Sequence, residues 1–480
     1  MDEICEIVPS QKGNDKLNVR GYLMVKDRNR NNVYYWCCER RRTEGCKGRA
    51  TTTLYNDLQY LRNFSEHDHA PQAVNTNIAK AVAEIKKRAC ETREKPTQII
   101  QANMASISEE TRPCMPSRNA LRRKIARVRR TKTPPQPQSI EEINIPASLR
   151  VNLNGDPFLI KDHTIEQERI LLFTSKENIL HLSQASFWLM DGTFDTVPTI
   201  FCQLYTIHAS VGTENNSRIL PLVYALMSRK SEDLYKWLFN DLCQFAEEND
   251  IILTPSYILT DFEQAAINAS HGEFPNAINK GCFFHLGQSG WRKIQNCGLA
   301  VQYGNDEHFS LLIRHLFTLA FLPAHEIPSA FDILKPRIPP EANNIVQWFE
   351  DNYVHGKIRR QLRNGNIVRD TPLFPPQLWS VYDSVELGIL RTQNTVEAWH
   401  RRWKTLVGES HIGVYTIIQE IQKEQQEVEV QIERMLRGEQ PPKKKKKVID
   451  RENRIMTIIN DRENRSIMDF LRGIAHNLSL

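Results

Sequence analysis

FWLMDGTFD (Phe187–Asp195) decides how the middle of the chain folds. Its apolar run ends at Asp191, so it reads as a buried strand with a carboxylate at its C-terminal end. ILTDFEQA (Ile258–Ala265) repeats the arrangement at Asp261. Between them, TIFCQLYTIHAS and RILPLVYALMS read as strands joined by the turn-rich VGTENNS. SEDLYKWLFNDLCQFAEEN then reads as an amphipathic helix capped by Ser231, with Glu232 and Asp233 in its first turn. After Asp261, EQAAINASHGEF is expected as a helix and AINKGCFFH as another strand. In the order strand–strand–strand–helix–strand–helix, the first and fourth strands can be parallel neighbours through a right-handed crossover. Asp191 and Asp261 would then sit side by side at one sheet edge, where open α/β sheets keep their sites.

Two carboxylates so placed repel unless a divalent cation lies between them. Hard oxygen donors favour Mg2+ or Mn2+. Two such ions, about 3.5–4 Å apart, would activate a water or a DNA 3′-hydroxyl and stabilise the leaving oxygen. The plainer reading is structural: Asp-Gly marks turns, and a strand-end Asp often caps the next helix. A third carboxylate lies in NTVEAWHRRWK (Asn394–Lys404). At about 100° per residue, Val396, Trp399, Trp403, Leu406 and Val407 form one apolar stripe, and Glu397, His400 and Lys404 share its flank. Glu397 is therefore either a solvated partner of Arg401 or a carboxylate turned toward the sheet edge.

These motifs resemble the Mutator-like (MULE) transposase domain, a DDE enzyme with an RNase H-like core. DGTF (191–194), TDFEQA (260–265), GCFFHLGQ (281–288) and NTVEAWHRRW (394–403) match in order, over roughly Ser186 to Val407. The resemblance implies an α/β fold with an all-helical insertion, and Asp191, Asp261 and Glu397 as catalytic ligands of Mg2+ or Mn2+. Cys282 and His285 match the family's Cys-x2-His and would support the active site. They are too few for a second zinc site unless Cys297 or His308 joins them. Asp195 and Glu263 are taken as bystanders.

Nearer the start, GYLMVKD, NVYYWCCE, RATTTLYND and LQYLRNF are short β-prone runs, the first two parted by the polar turn RNRNN. So small a β-rich unit would gain from a metal staple. Cys38, Cys46, His67 and His69 form a Cys-x7-Cys-x20-His-x-His pattern suited to tetrahedral Zn2+, although two free thiols and a loop histidine pair would give the same spacing. YYWCCERRRTEGCKGRATT with the later HDHAP resembles a FLYWCH-type zinc finger, which implies that the four residues bind structural Zn2+. Cys37 is then a spare thiol, and a ligand swap between Cys37 and Cys38 stays open. Arg40, Arg41, Arg42, Lys47 and Arg49 would supply DNA phosphate contacts.

Three helical stretches follow, with Pro96 and Pro116 where two of them start. In RNALRRKIARVRRTK (Arg118–Lys132), Leu121, Ile125 and Val128 make an apolar stripe, and Arg122, Arg123, Arg127 and Arg130 face elsewhere. The segment reads either as a helix-turn-helix-like DNA reader or as a basic linker helix touching phosphates only. Residues from about 290 to 390 read mostly helical. A long helix, Val414 to Leu436, then leads to PPKKKKKV. Lys443, Lys444, Lys445, Lys446 and Lys447 there resemble a nuclear localisation signal, which points to the nucleus. DRENR occurs at 450–454 and 461–465, an eleven-residue spacing that would place both copies on one solvated helical face.

Net charge is only +6, so it is these local basic clusters that would draw a polyanion. No run of about 18 apolar residues suggests a membrane span, and the acidic start lacks the apolar core of a secretory signal. The ten cysteines read as reduced thiols or metal ligands. The expected divisions are a zinc finger (1–72), a basic helical region (73–138), a linker (139–180), the transposase core (181–290), a helical insertion (291–390), a final catalytic helix (391–412) and a helical tail (413–480). The partner would be double-stranded DNA, with terminal inverted repeats as target and a homodimer or higher oligomer as the acting form. Three functions fit: a transposase that cuts and joins DNA, a domesticated transposase kept as a zinc-finger transcription regulator, and a plain metal-dependent nuclease.

Overall fold

The computed structural model describes residues 3–8, 15–71, 73–92, 94–132, 135–212, 216–363, 365–386, 394–441 and 445–478. They form two compact units, Met1–Pro135 and Gln136–Leu480.

The first unit opens with a closed six-stranded antiparallel sheet of β1 (Ile4–Val8), β2 (Lys16–Val19), β3 (Tyr22–Arg30), β4 (Val33–Cys38), β5 (Arg49–Tyr55) and β6 (Leu58–Phe64). The sequence reading finds the last four strands and misses β1 and β2, which are short and carry charged residues. The expected turn RNRNN shrinks to Asn31 and Asn32, because β3 runs on to Arg30. Both asparagines take positive φ, 47° and 60°, the conformation of a tight hairpin turn. Trp36 fills the barrel with Leu17, Val19, Met24 and Ala50. Its indole Nε1 donates to Thr52 Oγ1 at 2.8 Å, so the buried N–H is satisfied.

Helices α1 (Ala73–Glu91), α2 (Pro96–Ser106) and α3 (Arg118–Lys132) follow. They share a core of Val82, Ile85, Ile99, Ile100, Leu121 and Ile125. Arg129 is spent on this packing: its guanidinium donates to the carbonyls of Ala89, Thr92 and Glu94 at the end of α1.

The second unit is built on a seven-stranded mixed sheet ordered β13-β12-β9-β10-β11-β8-β7. The strands are β7 (Leu159–Ile165), β8 (Glu168–Phe173), β9 (Phe187–Thr193), β10 (Gln203–Val211), β11 (Arg218–Met227), β12 (Tyr257–Thr260) and β13 (Ile278–Gly281). As expected, β12 lies parallel and adjacent to β9. Residues 139–180, expected as a linker, instead contribute β7, β8 and much of helix α4 (Lys176–Gln184). The polar β7 and the Glu166–Gln167 turn carry no hairpin signature, so this part was not legible.

Side chains alternate across the sheet. Trp188, Met190, Tyr205 and Ile207 pack with Ile179 and Leu182 of α4 and with Leu238 and Phe239 of α5 (Glu232–Glu247). Helix α6 (Gln264–Glu273) adds Ala266 and Ala269 to that layer. The other face, with Leu204, Tyr224 and Leu226, is covered by later helices. Helix α7 (Phe283–Asn296) begins at once after β13, with Cys282 as its N-cap residue. Phe283–His285, expected as strand, are therefore the first turn of a helix; Phe283 is drawn onto Phe321, with ring centroids 5.3 Å apart.

Helices α8 (Ala300–Asn305), α9 (Glu307–Thr318), α10 (Ile327–Leu334), α11 (Asn343–Phe349), α12 (Pro376–Trp379) and α13 (Tyr382–Glu386) make a largely helical insertion. Its departure from expectation is a hairpin, β14 (Ile358–Gln361) with β15 (Ile367–Arg369). Helices α14 (Asn394–Val407) and α15 (Val414–Leu436) then return to the sheet. Trp399 and Trp403 of α14 and Ile417, Ile418 and Ile421 of α15 pack on the face with Leu204 and Tyr224. Leu406, expected in the apolar stripe, is exposed.

The tail also departs from expectation. The first DRENR lies in helix α16 (Lys446–Asn460), but the second falls on a one-turn break before α17 (Ile467–Ala475). The two copies do not continue one helical face. Arg462 of the second copy pairs with Glu326 of the insertion, and Ile455, Ile459, Phe470 and Leu471 join the insertion core. Among the described residues no helix is long and apolar enough to cross a membrane.

A buried amide pair locks α15 to the sheet. Asn178 Nδ2 donates at 2.8 Å to both Leu222 O and Gln425 Oε1, and Gln425 Nε2 donates back to Asn178 Oδ1 at 3.1 Å. Gln425→Leu leaves the buried Asn178 Oδ1 without its donor and is expected to cost about 1–3 kcal/mol. The exposed Gln426→Leu should stay within about 0.5 kcal/mol. Urea unfolding of the second unit checks both; equal midpoints would show that the pair contributes nothing.

Candidate active site and metal centre

An apolar cluster sets the site. Leu189 of β9, Leu259 of β12, Cys282 before α7 and Val396 of α14 pack together. Each is followed closely by a polar residue of interest: Asp191, Asp261, His285 and Glu397. Because strand side chains alternate, Asp191 shares the face of Leu189. Leu259 pairs with Leu189, so the same register continued by two residues brings Asp261 opposite Asp191. Asp191 lies inside β9, which runs on to Thr193, while Asp261 is one residue past β12.

Ligand atoms of Asp191, His285 and Glu397 all lie within 4.8 Å of one another. His285 Nε2 is 3.7 Å from Asp191 Oδ2 and 3.5 Å from Glu397 Oε1. His400, on the same flank of α14 as Glu397, brings its Nδ1 to 3.8 Å from Asp191 Oδ2. Asp191 Oδ1 accepts from Gly192 N at 2.8 Å. Its buried Oδ2 has no hydrogen-bond partner among the described residues, and neither have His285 Nδ1 and His400 Nε2. Asp261 lies outside this close cluster of ligand atoms, yet near enough for its charge to act on Asp191.

The electrostatics follow from burial and crowding. Burial pushes Asp191 up to about 7; the His285 charge opposes this, and the Asp261 and Glu397 charges add to it. Asp261 is raised by burial and by neighbouring Glu263. Burial works against a charged His285, but Cys282, Glu397 and Asp191 outweigh it and hold its pKa up at about 11. Glu397 is lowered, chiefly by its hydrogen bond with His285, with Arg401 only a minor influence. Burial drives His400 down to about 4. An unpaired buried carboxylate oxygen among acidic neighbours, facing a second carboxylate, is a donor set that fits a hard divalent cation.

Cys282 and His285 interact directly, but among the described residues neither Cys297 nor His308 joins them in a metal-sized cluster. Asp195 pairs with Lys404 at 2.6 Å, both well exposed. Glu263 is more engaged than a bystander: it accepts from Tyr235 Oη at 2.9 Å and pairs with Lys230 at 2.5 Å beside Asp261. Sequence reasoning passed over His400 too, although the wheel already placed it beside Glu397. Nothing local marked Tyr235 or Lys230.

In the first unit, Cys38, Cys46, His67 and His69 also converge within 4.8 Å. Cys38 Sγ is 3.2 Å from His69 Nε2, Cys46 Sγ is 3.4 Å from His67 Nδ1, and the two ring nitrogens are 3.4 Å apart. A tetrahedron with bonds of about 2.0 Å to nitrogen and about 2.3 Å to sulfur has edges of roughly 3.3–3.8 Å. The four atoms are thus spaced as zinc ligands. His69 Nδ1 lies 3.0 Å from Ala70 O, a contact that fixes the ring with Nε2 inward. Cys37 is buried outside the cluster. Gly48 is required beside it, since a Cβ there would stand 2.4 Å from the His67 ring.

The expected DNA contacts divide. Arg42 and Lys47 are exposed, whereas Arg40 pairs with Glu44 and Arg49 with Asp27, each at 2.9 Å. Arg41 lies 3.9 Å from Asp27. On α3, Arg123 and Arg127 are exposed, and Arg122 donates to Thr97 Oγ1 at 3.2 Å. The Arg130 side chain and Lys443 and Lys444 lie outside what is described. Lys445 is the N-cap residue of α16, and Lys446 and Lys447 are exposed on its first turn.

Comparison with known families gives two matches. Residues 7–69 match the FLYWCH zinc finger domain, and residues 187–289 match the MULE transposase domain. The second match takes in Asp191, Asp261, Cys282 and His285 but ends before Glu397 and His400, whose place in the site rests on the geometry above. No curated protein matches the chain.

The FLYWCH match implies structural zinc, and the purified chain should carry about one zinc per finger. Cys46→Ser and His67→Ala should each lower it sharply by elemental analysis. Gly48→Ala should do so as well, by displacing His67. Unchanged zinc in all three variants would sink the assignment.

Proposed function

We propose that this chain is a transposase, or a transposase-derived protein, that cleaves DNA strands and transfers them from an RNase H-like core. The observation that carries the reading is the unpartnered, buried Asp191 Oδ2, set within a ligand-sized cluster with Glu397 and under the charge of Asp261.

Asp191, Asp261 and Glu397 would hold Mg2+ or Mn2+. Such ions, when bound, lower the pKa of an attacking water or 3′-hydroxyl and offset charge on the leaving oxygen. The protein's own share is positioning. β9 and β12 fix two carboxylates rigidly, and α14 brings the third to them. His285 spans Asp191 and Glu397 and keeps both aimed inward. His400, held neutral by burial, closes the side next to Asp191. Tyr235 and Lys230 hold the Glu263 carboxylate, and Lys230 offsets its charge beside Asp261.

The zinc finger and the basic α3 would recognise DNA, with terminal inverted repeats as the natural target. The lysine run at 443–447 would direct the chain to the nucleus. Action on two DNA ends would call for a homodimer or higher oligomer.

Purified chain with Mg2+, given the DNA that flanks its own gene, should cut at terminal inverted repeats and join the ends to target DNA. Asp191→Asn should reduce cutting by roughly a hundredfold or more, the scale expected when a charge-stabilising group is lost. Zinc content and duplex binding should be unchanged in that variant. Duplex binding without any cutting would replace this reading with that of a DNA-binding regulator. Cutting without joining would leave a nuclease.

A further inference from the structure

The hairpin β14–β15 belongs to the insertion and contributes no residue to either cluster. The segment KIRRQLRNGNIVR (Lys357–Arg369) holds five cations and no acid. Its base is pinned. Arg369 donates at 2.8 Å to Gly356 O and at 2.8 Å to Glu350 Oε1, a buried carboxylate that also takes Lys335 at 2.6 Å. Asp370 N donates to Lys357 O at 2.9 Å across the neck. Gly356 has φ +83°, and a Cβ there would meet Asp370 O at 1.8 Å, so the neck admits only glycine.

Above that base the described residues leave most of the ribbon open, with only Val368 of β15 half-buried. All four residues of β14 are exposed, and Ile358, Leu362 and Ile367 are exposed large apolar side chains. Arg369 is neutralised by Glu350. The other four cations, Lys357, Arg359, Arg360 and Arg363, are exposed and make no ion pair with the described residues. A lone two-stranded ribbon is marginal in water, yet here its base is fixed by a buried ion pair. A ribbon pinned at its base and carrying four exposed cations offers a contact surface.

Its charge selects the occupant. A second copy would set four cations against four, and charged ribbon edges oppose strand pairing. A polyanion is favoured, and a two-stranded ribbon fits the B-DNA major groove, about 12 Å wide. We infer that β14–β15 is a DNA-duplex contact, with Arg359, Arg360 and Arg363 reaching phosphates. The inference rests on the DNA-acting reading but not on its chemistry.

The test is fluorescence anisotropy of the zinc-loaded full chain with a labelled random-sequence duplex over a salt series. R359A/R360A/R363A should weaken binding about tenfold or more at low salt. It should also flatten the log K against log salt slope by roughly 2–3, at about 0.9 per lost phosphate contact. The exposed Gln426→Leu should bind like wild type. Wild-type binding matched by the triple variant would overturn this inference and leave the proposed function standing. Absence of duplex binding by wild type would overturn both. Tighter binding to double-stranded RNA or to phosphatidylserine vesicles, lost in the triple variant, would overturn the DNA assignment.

Discussion

Four apolar side chains hold the second unit's chemistry together. Leu189, Leu259, Cys282 and Val396 come from two strands, the entry to a helix and a distant helix, and they meet in one cluster. Such contacts are non-directional, so the aim of the polar groups must come from backbone geometry. The strand period of two turns Asp191 and Asp261 to the side of Leu189 and Leu259. The helical period sets Glu397 and His400 on the flank of Val396. Without this floor the carboxylates would have neither the burial nor the crowding that shifts them.

The crowding is offset locally. Two acids near a third in a dry setting are unfavourable unless positive charge lies among them. His285 supplies it from the first turn of α7. A second buried carboxylate works differently: Glu424 of α15 accepts from Trp399 Nε1 at 2.7 Å and pairs with Arg402. Its task is to hold α14 in place, and it uses paired charge to do so. One acid is satisfied within the protein and serves the fold, whereas Asp191 keeps an oxygen without a hydrogen-bond partner among the described residues.

Much of this was legible in the sequence. Apolar strands ending near Asp191 and Asp261 placed β12 beside β9, and the wheel of α14 set Glu397 and His400 on one flank without choosing between solvent and the sheet edge. The Cys and His spacing singled out Cys38, Cys46, His67 and His69 but fitted free thiols equally, and the FLYWCH resemblance turned it toward zinc, with Cys37 as the spare thiol. What stayed hidden has physical causes. β1, β2 and β7 are short or polar and carry weak alternation, and their pairing is a tertiary matter. Phe283–His285 are β-prone by type but helical by packing. The β14–β15 ribbon is too charged to read as a strand, and only its pinned base makes it one. The helical period that seemed to unite the DRENR copies is interrupted at Asp461, where Arg462 turns to Glu326.

Chain order gives the cluster a timetable. Asp191, Asp261 and His285 leave the ribosome early and can settle onto one sheet edge together. Glu397 emerges only after the whole insertion has been made. A nascent or truncated chain that stops short of α14 therefore carries an open carboxylate pair without its closing member. The insertion thus acts as a delay line, and the carboxylate cluster is completed only once the insertion and α14 have been made.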